Sequence, residues 1–206
     1  MKTYEVKPCA NAPEKHLRLA AWEPAYLLTD FSYPWRAEVP PKTEFRALHN
    51  DTYLYFRFEV WDDQLIAAEH EQVKQAVVES DRVELFFRKD KQMNPYYCLE
   101  MDWKGRLLDN QAQYHRIMDY QWQWPANGLT FQSRLTAKGY TVEGSLTKTS
   151  LRQLGLLREG KIETGIFRGE YQDSPGKQVK WISWVRPDSP QADFHIPSAF
   201  GLLKFI

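Results

Sequence analysis

The sequence predicts an all-β chain, an antiparallel β-sandwich carrying one or two short helices. Three observations predict it. Apolar and polar residues alternate with period two in a series of short runs. Turn pairs separate those runs, as in Lys104-Gly105, Lys138-Gly139, Glu159-Gly160 and Pro175-Gly176. The length, 206 residues, suits one sandwich with a sizeable core, so residues 1–206 read as a single domain.

The elements follow in order. Residues 24–41 hold Pro34 and Pro40 together with Tyr26, Phe31, Tyr33 and Trp35, and that aromatic density marks a long connection that packs. Residues 43–49 and 51–60 form a hairpin across Asn50-Asp51. In the second strand Leu54, Phe56, Phe58 and Val60 share one face, while Tyr53, Tyr55, Arg57 and Glu59 share the other. Residues 64–79 have helical composition but sparse apolar positions, so a short helical excursion within a loop is expected. Residues 81–88 set Val83, Leu85 and Phe87 against Arg82, Glu84, Phe86 and Arg88. Further strands are read at 96–103, 106–114, 129–136, 140–147, 161–171, 178–185 and 202–206. A short amphipathic helix is read at 149–157, with Ser150 as its cap and Leu151, Leu154 and Leu157 facing the body.

Composition narrows the function classes. Lys plus Arg and Asp plus Glu both number 27, so no basic footprint exists for nucleic acid or an anionic membrane surface. No apolar run is long enough to span a bilayer as a helix, and residues 1–7 lack the apolar stretch of a secretory signal. The chain as written therefore reads as cytoplasmic, or as secreted with its signal removed. Cys9 and Cys98 are too few for a disulfide framework; buried small hydrophobes and a pair both remain open readings. The 8 tryptophans suit a sandwich core and equally suit stacking on the C–H faces of sugar rings.

Three segments in order carry a resemblance. They are Asp81-Arg82-Val83-Glu84-Leu85-Phe86-Phe87, Lys180-Trp181-Ile182-Ser183-Trp184, and Phe194-His195-Ile196-Pro197-Ser198-Ala199-Phe200-Gly201-Leu202-Leu203. Together they resemble the D-x-V-E-x-F strand, the I-S-W strand and the aromatic-x-x-P-S-x-F-G-x-L closing segment of family 9 carbohydrate-binding modules. Asp51-Thr52-Tyr53-Leu54-Tyr55 is similar to the family's D-x-x-L-Y hairpin, and Tyr96-Tyr97 with Gly105 to its Tyr-rich strand and Gly turn. The resemblance implies a sandwich of jelly-roll or immunoglobulin-like type. It also implies non-catalytic saccharide binding as an accessory to polysaccharide or oligosaccharide breakdown, with a glycoside hydrolase as partner and structural calcium in some members.

The resemblance also assigns residues. Glu84 matches the strand carboxylate that hydrogen-bonds sugar, and its bland alternative is an ion pair with Arg88 or Lys104. Phe194 matches one of two tryptophans that sandwich a terminal sugar ring, with His195 beside it as a hydrogen-bonding loop residue. The other tryptophan is replaced by Val78, and a family arginine by Glu100, so specificity for reducing ends is not carried over. Trp122 and Trp124, with Tyr120 on one face if the segment is extended, offer a substitute platform; the alternative is an aromatic stripe packed on the core. Arg168, between Gly165 and Gly169, reads either as a ligand contact with room around it or as an ion pair with Glu170 or Glu84. Trp181 and Trp184 have opposite strand parity, and Trp184 is assigned to structure.

Asp62, Asp63 and Asp81 are the candidate oxygens for calcium. No G-x-S-x-G, P-loop or H-E-x-x-H motif occurs, and the carboxylates form no pair that stands out, so the sequence reads as a binding module and not an enzyme. A sandwich without its sugar clamp, acting as a structural or protein-interaction module, is the alternative.

Overall fold

The computed structural model describes residues 1–9 and 19–206. In chain order its strands are β1 (Thr3–Pro8), β2 (Thr43–His49), β3 (Tyr53–Trp61), β4 (Arg82–Arg88), β5 (Tyr96–Asp102), β6 (Leu107–Gln113), β7 (Ile117–Asp119), β8 (Leu129–Thr136), β9 (Gly139–Thr147), β10 (Lys161–Glu170), β11 (Lys180–Ser183) and β12 (Gly201–Phe205). Two short helices, α1 (Val73–Val78) and α2 (Lys148–Gln153), interrupt them. The strands form one curled sheet in the order β7-β6-β5-β4-β10-β12-β1-β2-β3-β9-β8, and β11 pairs with the second half of β10.

Every strand expected from the alternating runs is present. Two short ones, β1 and β7, lay outside that reading. β1 supplies the parallel pairings in a sheet that is otherwise antiparallel. Its first residues, Thr3 to Val6, run parallel to β12, and Lys7 and Pro8 run parallel to β2. Long connections separate β1 from both neighbours in sequence, so no hairpin forces an antiparallel return. β1 thereby carries the backbone hydrogen-bonding from one half of the curled sheet to the other.

One apolar core takes side chains from both halves. Phe45, Phe56, Phe58, Val60, Val142 and Leu146 come from β2, β3 and β9; Val83, Leu85, Phe87, Leu99, Met101 and Ile166 come from β4, β5 and β10. Tyr4 and Val6 lie among them. Each such side chain, fully buried, contributes about 1.5–3 kcal/mol of transfer free energy. Trp184 joins this core, as its parity suggested, whereas Trp181 turns to the opposite face.

The connection at residues 24–41 packs as expected. Leu28 exchanges both backbone hydrogen bonds with Phe45 at 3.0 Å, Ser32 does so with Ser183 at 3.0 and 2.9 Å, and Tyr33 is buried. α2 begins earlier than its expected start, because the Thr147 side chain and not Ser150 caps it, accepting from the Ser150 amide at 3.2 Å. Cys98 is buried, Cys9 half-buried, and both are free thiols. No described helix is long and apolar enough to cross a membrane.

Candidate functional site

The outward face of β4 and its neighbours is unusual for its buried charge. Strand alternation sends Val83, Leu85 and Phe87 into the core, so Arg82, Glu84 and Phe86 must point the other way. Register then lines up Phe167, Glu84, Glu100 and Leu108 as one row across β10, β4, β5 and β6. Two carboxylates thus stand side by side on adjacent strands, a repulsive pairing unless a cation intervenes.

Arg82 is that cation. Its Nε hydrogen goes to Glu100 Oε2 at 2.6 Å, and Glu84 Oε1 lies 3.0 Å from the same nitrogen. Nε carries one hydrogen only, so Glu84 Oε1 is left buried without a hydrogen-bond donor among the described residues. The other end of Arg82 is held by the Val78 and Ser80 carbonyls at 2.8 and 3.2 Å. Burial, and next the charge of Glu100, push the Glu84 carboxyl up to about 8 against the pull of Arg82.

Two loops wall this floor. Asp193 accepts from His115 Nε2 at 2.6 Å, from Arg116 at 2.8 Å and from the His195 amide at 2.8 Å, which ties residues 115–116 to residues 193–195. His195 sits over Phe86 with Nδ1 3.0 Å from the Tyr96 hydroxyl, and burial depresses its pKa to about 3, so it is a neutral imidazole. The walls and floor enclose a recess of about 70 Å³ lined by Arg82, Glu84, Glu100, Arg116, Trp181 and Asp193, among others. It opens beside a cleft of about 380 Å³, which shares Trp181 and Ala192 and adds Trp35, Arg36 and Val179. The recess is several times smaller than the cleft beside it, which offers the larger space for a sugar ring.

Four of the residues singled out in the sequence therefore meet here: Glu84, Glu100, Phe194 and His195. Phe194 differs from the open stacking face that the resemblance implied. One side of its ring is stacked on Phe167 at 4.0 Å, Trp35 and Trp181 press on it at 5.7 and 5.3 Å, and only 4% of it is exposed. The accessible ring is the half-buried Trp181, which holds the Arg82 guanidinium 5.2 Å from its centre. Glu84 pairs with neither Arg88 nor Lys104; those cations go to Glu163 and Glu69.

The other three are elsewhere. Arg168 is in register with Val83 and so points to the opposite side of the sheet, where it is fully buried and bonded to Asp62 at 2.7 Å, with Glu170 at 3.4 Å. The room expected over its flanking glycines is taken by the protein itself. A Cβ on Gly165 would meet the Phe167 ring at 2.3 Å, and one on Gly169 the Arg82 guanidinium at 3.0 Å. Trp122 and Trp124 do not form a flat platform, because Asp119 accepts from the Gln121 and Trp122 amides and turns the chain. Trp124 is 7% exposed in the core and Trp122 packs on Tyr97, with their rings at 86° to each other.

Val78 is not in the recess. It lines a separate groove of about 490 Å³ with Tyr120, Gln72, Gln75, Gln121 and Gln123. Of the calcium candidates, Asp62 is committed to Arg168, and Asp81 accepts from the Ile66 and Tyr171 amides at 2.6 Å each. Asp63 is exposed, and no metal-holding group of three or more His, Cys, Asp or Glu occurs among the described residues.

Sequence reasoning missed Arg82, Arg116, Trp181 and Asp193. Arg82 was reachable, since it shares strand parity with Glu84; Trp181 was reachable from its parity against Trp184. Arg116 and Asp193 meet across 77 positions and left no local signal.

Comparisons with known proteins bear on the fold and the family. No curated protein matches the chain. Among solved structures, a proposed carbohydrate-binding protein from Bacteroides uniformis superposes with TM-score 0.74 at 17% identity, over 100% of this chain and 99% of the other. A family 9 carbohydrate-binding module from Caldicellulosiruptor kristjanssonii in complex with glucose gives 0.60 at 15% identity, over 100% and 96%. A family 9 module from the same organism in complex with cellotriose gives 0.63 at 14% identity, over 99% and 93%. These likenesses show the shared fold. The model of the carbohydrate family 9 binding domain-like family matches residues 19–206, nearly the whole described chain, and the protein belongs to that family.

Proposed function

We propose that this protein is a non-catalytic saccharide-binding module, folded as a single two-layered sandwich of jelly-roll type over residues 1–206. One observation carries the reading best: an aromatic-walled cleft opens onto a recess whose floor holds Glu84, with an unpartnered buried oxygen, beside Glu100. A carboxylate oxygen that lacks a donor is an acceptor waiting for one, and sugar hydroxyls are donors. Trp181 supplies an apolar face for the ring's C–H groups. The ring occupies the outer cleft, and one of its substituents reaches down to Glu84.

Family membership, together with neighbours solved in complex with glucose and cellotriose, supports the same ligand class. The contact residues are Glu84, Glu100, Trp181 and His195, with Phe194 as the wall behind Trp181. Such a module serves as an accessory to a glycoside hydrolase acting on polysaccharide or oligosaccharide.

The test is titration with glucose, cellobiose and cellotriose, followed by tryptophan emission and calorimetry. Binding with an emission change that Trp181→Ala removes is the expected result. Above pH 8, where Glu84 is ionised, Glu84→Gln is expected to weaken binding by about 1–3 kcal/mol, the worth of a hydrogen bond to a charged group. If a broad saccharide panel produces no heat, the structural or protein-interaction alternative replaces this reading.

A further inference from the structure

The recess has a size and a charge that together say more than "sugar". At about 70 Å³ against about 380 Å³ for the adjoining cleft, it suits a small substituent of a ring held outside. Three carboxylates line it, those of Glu84, Glu100 and Asp193, against the two guanidinium groups of Arg82 and Arg116. Arg116 is spent on Asp193, and the Arg82 Nε hydrogen on Glu100. The remaining polar wall residue, His195, is a neutral imidazole engaged with Tyr96. What is left is Glu84, 1% exposed, whose Oε1 lies 3.0 Å from the Arg82 Nε already given to Glu100 and accepts no hydrogen bond among the described residues.

We propose that the recess is a specificity pocket for a protonated amino substituent, so that the preferred ligand is an amino sugar and sugars bearing a carboxylate are rejected. The proposal rests on the saccharide-binding reading above and narrows it. An ammonium group presents three donors in a compact shape and supplies the positive charge that Arg82, shared between two carboxylates, provides incompletely. A neutral hydroxyl can hydrogen-bond the Glu84 carboxyl but does nothing to favour its ionised form. A uronate carboxylate brings like charge to a buried acidic floor, which costs several kcal/mol when no water can intervene. Burial keeps the Glu84 carboxyl hard to ionise without such a cation, in agreement with its raised pKa.

The test is calorimetric titration of the intact protein with glucosamine, glucose, N-acetylglucosamine and glucuronate at one pH and one ionic strength. Glucosamine is expected to bind about tenfold or more tightly than glucose, since a hydrogen bond between two charged partners replaces one to a neutral donor. N-acetylglucosamine, which keeps the position but not the charge, is expected to show no advantage over glucose, and glucuronate no binding. Glu84→Gln should lower the ratio of glucosamine to glucose affinity to near one. If glucose binds and glucosamine binds no better, or glucuronate binds as well as glucose, the pocket proposal fails while saccharide binding stands. If none of the four binds and cello-oligosaccharides do not either, the saccharide reading itself fails and this proposal with it.

Discussion

Two buried arginines sit on opposite faces of neighbouring strands, and they are provisioned differently. Arg168 bonds to Asp62, the Thr43 hydroxyl and the Trp61 carbonyl, with Glu170 alongside. Its acids have further donors: Glu170 receives the Tyr33 hydroxyl, and Asp62 the Gln64 amide. Arg82 likewise faces two acids, Glu100 and Glu84, but among the described residues no second donor reaches Glu84 Oε1. A buried ion cluster whose carboxylates are supplied from inside the protein is architecture. One that lacks a donor at the edge of a cleft is a place for a ligand.

The contrast can be broken most sharply at Arg168. Arg168→Met leaves Asp62 and Glu170 buried without their cation and is expected to cost about 3–5 kcal/mol in chemical denaturation, with the sugar affinity of the folded fraction unchanged. A loss under ~1 kcal/mol would mean that the cluster is not closed in the way described.

Glu84 sharpens the other side. Its folded pKa is raised above the unfolded value, so its contribution to stability is full below pH ~4.5 and is lost as pH rises toward 8. Glu84→Gln removes the titrating group, and the variant is expected to match wild type at pH 4 and exceed its stability by ~1–3 kcal/mol at pH 8. A variant less stable than wild type at pH 8 would show that the ionised Glu84 stabilises the fold after all.

The opposite sign applies at His195, whose pKa is depressed. Its contribution is present above pH ~6.5 and declines as pH falls, because the unfolded chain takes up a proton that the buried ring refuses. His195→Gln keeps an acceptor for the Tyr96 hydroxyl and should flatten that acid limb, by ~1 kcal/mol at pH 5.5. An unchanged slope in a pH series of denaturation curves would place the imidazole in water instead.

The smallest effect is expected at Gly169→Ala. The new methyl meets Arg82 Nη1 at 3.0 Å, the atom held by the Val78 and Ser80 carbonyls, and the Trp181 ring at 3.3 Å. Stability should fall by about 1 kcal/mol, as in a mildly overpacked site, and sugar affinity should fall because Arg82 and Trp181 are displaced together. Equal affinity in wild type and variant would separate Arg82 from binding.

How much of this was legible follows from what each feature depends on. The strands β2, β3, β4, β8 and β9 were readable because one of their faces meets the core and alternation records it. β1 was not, for it is short, its two apolar side chains Tyr4 and Val6 are a weak pattern, and its partners come from distant parts of the chain. Glu84 and Glu100 were found through family motifs, and register explains why they are neighbours. Arg168 was legible in one of its two readings, the ion pair with Glu170, whereas its partner Asp62 lies 106 positions away and left no local signal. Of the two readings of the Trp122–Trp124 segment, the packed aromatic stripe holds over the platform for a local reason: the Asp119 side chain turns the segment that would have aligned its rings.

β1 has a mechanical consequence. Because β1 and β12 run in the same direction, Thr3 lies beside Leu202 and Val6 beside Phe205. Force applied between residue 3 and residue 206 pulls these two strands past each other lengthwise, loading their shared rungs together instead of peeling them one by one. Held on a surface at one end and pulled by flow or by a tethered partner at the other, the module meets load in shear, and its resistance is set by how fast the whole β1–β12 seam gives way.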